Sequence, residues 1–253
     1  MTLLDEILDD RRRQVSQLRR AALPSPPERR ALGLGRSNGE PLRIIAEIKR
    51  RSPSAGALST ALTVAERAAA YERGGAAMIS VLSNDTYFDG SLDDLGQARA
   101  ACALPLLCKE FVIDEVQVDA ARAHGADAVL LIARIVSAPR LVELLAHARR
   151  LGLDALVEVC NHDEARQALH AGAELIGVNA RNLDTLEMDL PRAGRVLASL
   201  PSWVTAVHLS GLSTGRDVAK VAASRAQAAL IGEALMRCDD PEPLLRSLCQ
   251  TAR

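Results

Sequence analysis

The sequence predicts an α/β protein, a single (β/α)8 TIM barrel preceded by an extra N-terminal helix, on three observations. Short apolar runs at residues 43–48, 77–82, 104–108, 128–132, 155–159, 175–178, 204–209 and 228–231 alternate with longer amphipathic segments. Such near-continuous apolar runs suit parallel strands buried on both faces. Helix-start signals follow many of them. Thr63-Val64-Ala65-Glu66, Asp114-Glu115-Val116-Gln117 and Asn161-His162-Asp163-Glu164 have capping-box form, and Ser137 with Pro139 and Asp240 with Pro241 place a cap-capable residue near an early-helix proline. Finally, Gly75-Ala76, Gly125-Ala126 and Gly172-Ala173 each close a helix ahead of a strand, about fifty residues or two βα units apart. An open doubly wound sheet is the alternative, but it usually has fewer strands, and no GxGxxG turn follows a strand here.

In chain order, residues 2–21 read as a helix, with Leu3, Leu4, Ile7, Leu8, Val15 and Leu18 at helical spacing. Residues 23–39, rich in Pro, Gly, Ser and Arg, read as a loop or linker with room for one turn of helix. Residues 1–40 are therefore expected to be an extension and 41–253 the catalytic barrel, in one structural domain overall. In the first strand, alternation puts Ile45, Glu47 and Lys49 on one face and Ile44, Ala46 and Ile48 on the other. Burying a carboxylate or an ammonium costs several kcal/mol unless the charges pair or bind something. This pair is either an edge-strand ion pair or part of an active site.

Composition excludes several function classes. With 253 residues and a net charge of −1, the chain is long enough for one barrel and shows no basic stripe for nucleic acid. No apolar run reaches the ~18 residues a membrane helix needs, and the start has no secretory apolar region. Five scattered cysteines without a CxxC fit a reducing cytoplasm and argue against a zinc site or a disulfide framework. The only lysines are Lys49, Lys109 and Lys220, and the only phenylalanines are Phe88 and Phe111. Arginine cannot exchange a proton near neutral pH, so lysines retained in an arginine-rich chain suggest a need for a titratable amine.

Barrel chemistry sits at the C-terminal strand ends. Those ends carry Glu47 and Lys49, then Phe88, then Lys109-Glu110-Phe111, Glu158, Asn179-Ala180-Arg181-Asn182, Leu209-Ser210-Gly211 and Gly232-Glu233. Two of the three lysines and both phenylalanines thus fall at the predicted mouth. Glu158 interrupts an apolar strand and is a candidate partner for a lysine, an arrangement that shifts pKa values toward proton transfer. Asn179 reads as a substrate-orienting amide or a structural hydrogen bonder. The phenylalanines could anchor loops or stack on an aromatic substrate. Gly211 and Gly232 lie in the loops after strands seven and eight, where barrels bind phosphate, and Ser52 could add a hydroxyl.

The blocks IAEIKRRSPS, YFDGS, LCKEF, ADAVLLI, ALVEV, IGVNARNL and LIGEALM resemble those of indole-3-glycerol phosphate synthases, in the same order, along nearly the whole chain. The resemblance implies a lyase of tryptophan biosynthesis. It would convert 1-(2-carboxyphenylamino)-1-deoxyribulose 5-phosphate to indole-3-glycerol phosphate, CO2 and water, with no metal or organic cofactor. Lys109 is then the expected general acid, Glu158 the acid–base group of dehydration, and Lys49 the counter-ion of the substrate carboxylate and a second proton donor. Glu47 is expected to orient the amines and Asn179 the sugar hydroxyls. Pro53, Phe88, Phe111 and Leu130 would wall the anthranilate ring, with Arg181 and Ser210 also contacting substrate. Ser52, Gly211, Gly232 and Glu233 would hold the phosphate. The expected partner is this small molecule alone, with no nucleic acid or membrane, for a cytoplasmic monomer or weak homodimer.

One position departs from the resemblance: Leu209 stands where those synthases carry an inward-pointing Glu before Ser-Gly, and the neighbouring His208 should face the helices. Its loss leaves two alternatives open, a paralogous lyase for a modified aryl-amino sugar phosphate and a low-activity or non-catalytic sugar-phosphate-binding barrel. A phosphoribosyl isomerase barrel fits the long N-terminal helix and the two-lysine mouth badly.

Overall fold

The computed structural model describes residues 2–37, 39–53 and 56–252. Ser54, the last residue of the IAEIKRRSPS block, lies outside them. The apolar runs form parallel strands β1 (Arg43–Ile48), β2 (Met78–Leu82), β3 (Leu106–Lys109), β4 (Ala128–Ile132), β5 (Asp154–Val159), β6 (Leu175–Asn179), β7 (Thr205–Leu209) and β8 (Ala228–Ile231). Each strand pairs with the next, and β1 pairs with both β2 and β8, so the sheet closes into a barrel. The third strand starts two residues later than expected, since Pro105 has no N–H for the ladder, and the Leu106 N–H is taken by the Asp127 carboxylate at 2.9 Å. That shift brings Lys109 into the strand as its last residue.

Helices α1 (Leu3–Leu18), α2 (Val64–Arg73), α3 (Asp85–Phe88), α4 (Leu92–Ala101), α5 (Glu115–Ala123), α6 (Ala138–Arg150), α7 (His162–His170), α8 (Leu190–Ser199), α9 (Gly215–Ala222), α10 (Glu233–Met236) and α11 (Glu242–Thr251) follow in order. Thr63 and Asp114 form the expected capping boxes, and Ser137 caps α6 ahead of its early proline. Asn161 does cap α7, but the Glu164 carboxylate turns back to the Cys160 N–H at 2.6 Å, so the box is not reciprocal. Gly75, Gly125 and Gly172 adopt φ of 90°, 97° and 83°. In each case the next N–H reaches back to close the helix (Ala76 to Tyr71 O, Ala126 to Ala121 O, Ala173 to Ala168 O, each 3.0 Å).

The core divides by strand alternation. Ile44, Ala46 and Ile48 pack outward under the helices, whereas Ile45 joins Met78, Leu107, Leu130, Leu156, Val207, Leu209 and Leu230 inside the barrel. The N-terminal segment reaches both ends of that interior. Leu4 and Ile7 of α1 join the interior cluster and line a cavity with Phe111, and Leu34 joins the same cluster, which includes the strand-start residues Ala128 and Ala228. Between them, Arg30 donates to the Leu104 carbonyl at 2.8 Å while its own N–H meets Asp127 at 2.6 Å. Residues 22–37 contain no helix or strand, and Arg30 and Arg36 bind this segment to the barrel through the Leu104 and Ala222 carbonyls.

Candidate active site

Glu47, at the end of β1, is 2% exposed and meets both barrel-mouth lysines. Lys49 Nζ lies 2.9 Å from Oε1 and Lys109 Nζ lies 3.0 Å from Oε2. Burial opposes charge on Glu47, but Lys109 and then Lys49 outweigh it and lower its pKa to about 2. Burial also works against the Lys109 ammonium, yet Glu47 and Glu158 raise its pKa. Two neighbours fix the Glu47 position. The buried Tyr71 hydroxyl donates to the Glu47 carbonyl at 3.0 Å. At Gly232 a Cβ would sit 2.4 Å from Glu47 Oε1, so only glycine leaves room for the carboxylate.

Glu158 occupies the end of β5, 2% exposed, and its pKa is raised by burial despite Lys109 and Asn179. The sequence offered it as the ion-pair partner of a lysine. Among the described residues it has no ion pair; Glu47 takes both amines, and Glu158 instead accepts from Asn179 Nδ2 at 2.8 Å. The other end of the Asn179 amide accepts the Arg181 N–H at 2.9 Å, which orients the NH2 group toward Glu158. Asn179 therefore makes structural hydrogen bonds while bordering the cavity.

Two adjoining cavities share Lys49, Lys109, Arg181 and Ser210. The first is mainly apolar. Pro53, Phe88, Phe111 and Leu130 line it as expected, with Ser52, Glu158 and Asn179 among its polar members. The two phenyl rings lie 6.1 Å apart, tilted by 31°. The second cavity is bordered by Gly211, Gly232, Glu233 and Arg237. Ser52 is thus separated from the glycines with which the sequence grouped it. Ser210 and Gly211 are consecutive left-handed residues (φ 69° and 80°), and a Cβ on Gly211 would meet Met188 Cε at 2.4 Å. Lys220 sits away from both cavities, on the exposed last turn of α9.

Several site residues escaped the sequence reading. Leu3, Leu4 and Ile7 of α1 roof the apolar cavity, and Leu183 and Leu186 close it from the loop after β6. Arg11, 4% exposed, ion-pairs with Glu110 at 2.9 Å and Asp85 at 2.8 Å. Glu110 also accepts the Phe111 N–H at 2.7 Å, so one carboxylate ties α1 to the segment that carries Lys109 and Phe111. Leu4, Ile7 and Arg11 fall on one helical stripe, the signal that could have flagged position 11 as inward-facing.

Leu209 points inward, as alternation requires, but it is 1% exposed and borders neither cavity. Its Cδ1 occupies the space over Gly177, where a Cβ would come within 2.7 Å. His208 faces outward; its Nε2 lies 3.0 Å from the Ser210 carbonyl, and burial lowers its pKa. Among the described residues no cluster of three His, Cys, Asp or Glu could hold a metal ion.

The family model for indole-3-glycerol phosphate synthase matches residues 4–248. The indole-3-glycerol phosphate synthase of Mycobacterium avium (strain 104) is 43% identical over 256 residues, covering 98% of this chain and 93% of that one. The enzyme of the same name from Parafrankia sp. (strain EAN1pec) is 44% identical over 257 residues, covering 98% and 95%. Among solved structures, 3-hexulose-6-phosphate synthase from Salmonella typhimurium superposes with a TM-score of 0.67 at 13% identity, covering 83% of this chain and 98% of that one. Thiamine phosphate pyrophosphorylase from Pyrococcus furiosus gives 0.64 at 17% identity, covering 83% and 95%. Those two likenesses show the barrel fold alone. With the family model and its relatives spanning almost the whole chain, this protein belongs to the indole-3-glycerol phosphate synthase family.

Proposed function

We propose that the chain converts 1-(2-carboxyphenylamino)-1-deoxyribulose 5-phosphate to indole-3-glycerol phosphate, CO2 and water. The carrying observation is that two lysines share one buried carboxylate at the junction of an aromatic-lined apolar cavity and a glycine-bordered polar one. An anionic aryl group joined to a sugar phosphate asks for that combination. Lys109, kept protonated by Glu47, donates to the sugar carbonyl oxygen as the aryl ring carbon bearing the carboxylate attacks. Lys49 compensates the carboxylate until CO2 leaves and the ring regains aromaticity. Burial raises the Glu158 pKa, which suits this carboxyl to the proton exchange of the dehydration that forms indole. Asn179 orients Glu158 and the sugar hydroxyls, and Arg181 and Ser210 meet substrate where the cavities join. Phosphate sits against the Gly211 and Gly232 loops, with the backbone of Glu233 contributing, and Ser52 meets the substrate in the apolar cavity instead. The chemistry is acid–base throughout and uses no metal or organic cofactor.

The Leu209 alternatives are not favoured. Its side chain touches neither cavity, and relatives matching along the whole chain carry one activity in their names. Leu4, Ile7 and Leu34 pack in the barrel's interior cluster, which supports the reading of residues 1–40 and 41–253 as one domain. The free cysteines support a cytoplasmic setting, and no helix among the described residues is long and apolar enough to cross a membrane. The purified protein should turn over this substrate with rising indole fluorescence; a folded protein without turnover would refute the reading. Leu209→Glu should raise kcat/KM by less than about tenfold; a larger gain would revive the specialised-paralogue alternative.

A further inference from the structure

The cavity bordered by Gly211 and Gly232 contains two carboxylates, poor neighbours for a phosphate dianion, and only one of them, Glu47, is compensated by the mouth lysines Lys49 and Lys109. Glu233 lines that cavity, and so does Arg237 one turn later. Arg237 donates to Glu233 Oε1 from Nε at 3.1 Å and from Nη2 at 2.8 Å. The Arg237 and Glu233 side chains are 56% and 40% exposed, and a pair that open to water contributes almost nothing to fold stability. Its effect therefore falls on the electrostatic field inside the cavity. Two unit charges about 5 Å apart in a water-like dielectric change each other's binding by about fourfold, and a dianion feels each charge twice.

We propose that Arg237 is a positioning residue for phosphate recognition: it neutralises Glu233 and so sets how tightly the cavity holds the substrate's phosphate. This rests on the reading of that cavity as the phosphate subsite. Glu233 then contributes to binding through its backbone only, with its side chain acting against the ligand unless Arg237 is present. Arg237 works through Glu233 and needs no direct contact with phosphate.

The test measures KM for the sugar-phosphate substrate and competitive inhibition by inorganic phosphate in the full-length protein and in Arg237→Gln, Glu233→Gln, the double variant and Gly211→Ala. Arg237→Gln should weaken phosphate inhibition and raise KM by about 3- to 15-fold with kcat nearly constant, and Glu233→Gln should shift both the other way. The double variant should return to within about twofold of the parent, and the shifts should shrink as salt is raised. A purely structural pair would move thermal stability and leave KM unchanged. The proposal fails if Arg237→Gln leaves both constants within about twofold of the parent, or if the double variant stays more than about twofold weaker than the parent, which would make Arg237 a direct ligand. Gly211→Ala separates the two levels of the argument. If it weakens phosphate inhibition while Arg237→Gln does not, the subsite stands and the neutralising role falls. If none of the variants alters phosphate inhibition, phosphate binds elsewhere and both readings fall.

Discussion

At the residue scale, the two lysines share a carboxylate but not a task. Lys109 is one-fifth exposed, and its pKa is raised by Glu47 and Glu158 against burial. It stays protonated through the neutral range and can release a proton only as charge develops on a neighbouring oxygen. Arginine keeps the charge but not the exchange. Lys109→Arg should therefore lower kcat by about 10²- to 10⁴-fold with a smaller change in KM, as expected when a general acid is lost. Lys49→Arg should retain more activity, because compensating a carboxylate needs only charge; steady-state kinetics on both variants, with pH profiles, checks the order. Gly232 tests the same constellation from behind. A methyl group there would sit 2.4 Å from Glu47 Oε1, so Gly232→Ala must push the carboxylate away from one or both amines. Its kcat should fall by at least tenfold while the fold persists. Normal kcat would mean that Glu47 does not set the lysines' geometry.

At the element scale, the barrel was legible because its signals are local. The apolar runs marked every barrel strand but not the short antiparallel pair Arg51–Ser52 and Gly56–Ala57, and the Gly-Ala pairs marked helix ends; Gly152 (φ 73°) closes α6 in the same way but lacks that signature, with Leu153 in place of Ala. Partnerships across the barrel were not legible. Glu47, Lys49, Glu158 and Asn179 were all recognisable as mouth residues, but which carboxylate takes the amines depends on side-chain reach between strands, and Glu158 went to Asn179. The docking of α1 was hidden for the same reason. Its apolar stripe said only that it packs somewhere, and a single arginine among many gave no sign of facing Glu110. That contact yields a prediction for the element. Arg11→Ala removes the partner of a buried carboxylate, which costs about 3–5 kcal/mol when the carboxylate is charged. Burial already raises the Glu110 pKa, and loss of Arg11 raises it further, so Glu110 can escape the penalty by taking a proton. The loss of stability, read from denaturant midpoints, should be larger at pH 8 than at pH 5, and KM should rise as α1 loosens over the apolar cavity. Equal losses at both pH values would show that Glu110 is not the group left stranded.

At the scale of the whole molecule, buried carboxylates of opposite character shape how stability depends on pH. Glu158 and Glu110 have folded pKa values raised by burial. Such groups favour the folded state while protonated, and that contribution disappears as pH rises through their folded pKa values. Glu47 has its pKa lowered to about 2 from the ordinary 4.5. Its contribution is present above about 4.5 and is lost as the pH falls toward 2. Acidification from neutrality should therefore first hold or raise stability, as Glu158 and Glu110 take up protons more readily in the folded chain than in the unfolded one. Below about pH 4.5 stability should fall, because the unfolded chain protonates Glu47 while the folded chain, with Lys109 and Lys49 against it, resists. Glu47→Gln separates this group from other acid-sensitive contacts. It leaves two amines crowded without their carboxylate, so the variant should be less stable near neutral pH. Having no carboxylate at 47 to protonate, it should then lose less stability than the parent between pH 4.5 and 2. Urea titrations at closely spaced pH values would show the two curves converging as pH falls. Parallel curves across that window would mean that the Glu47 charge is not what the folded barrel protects.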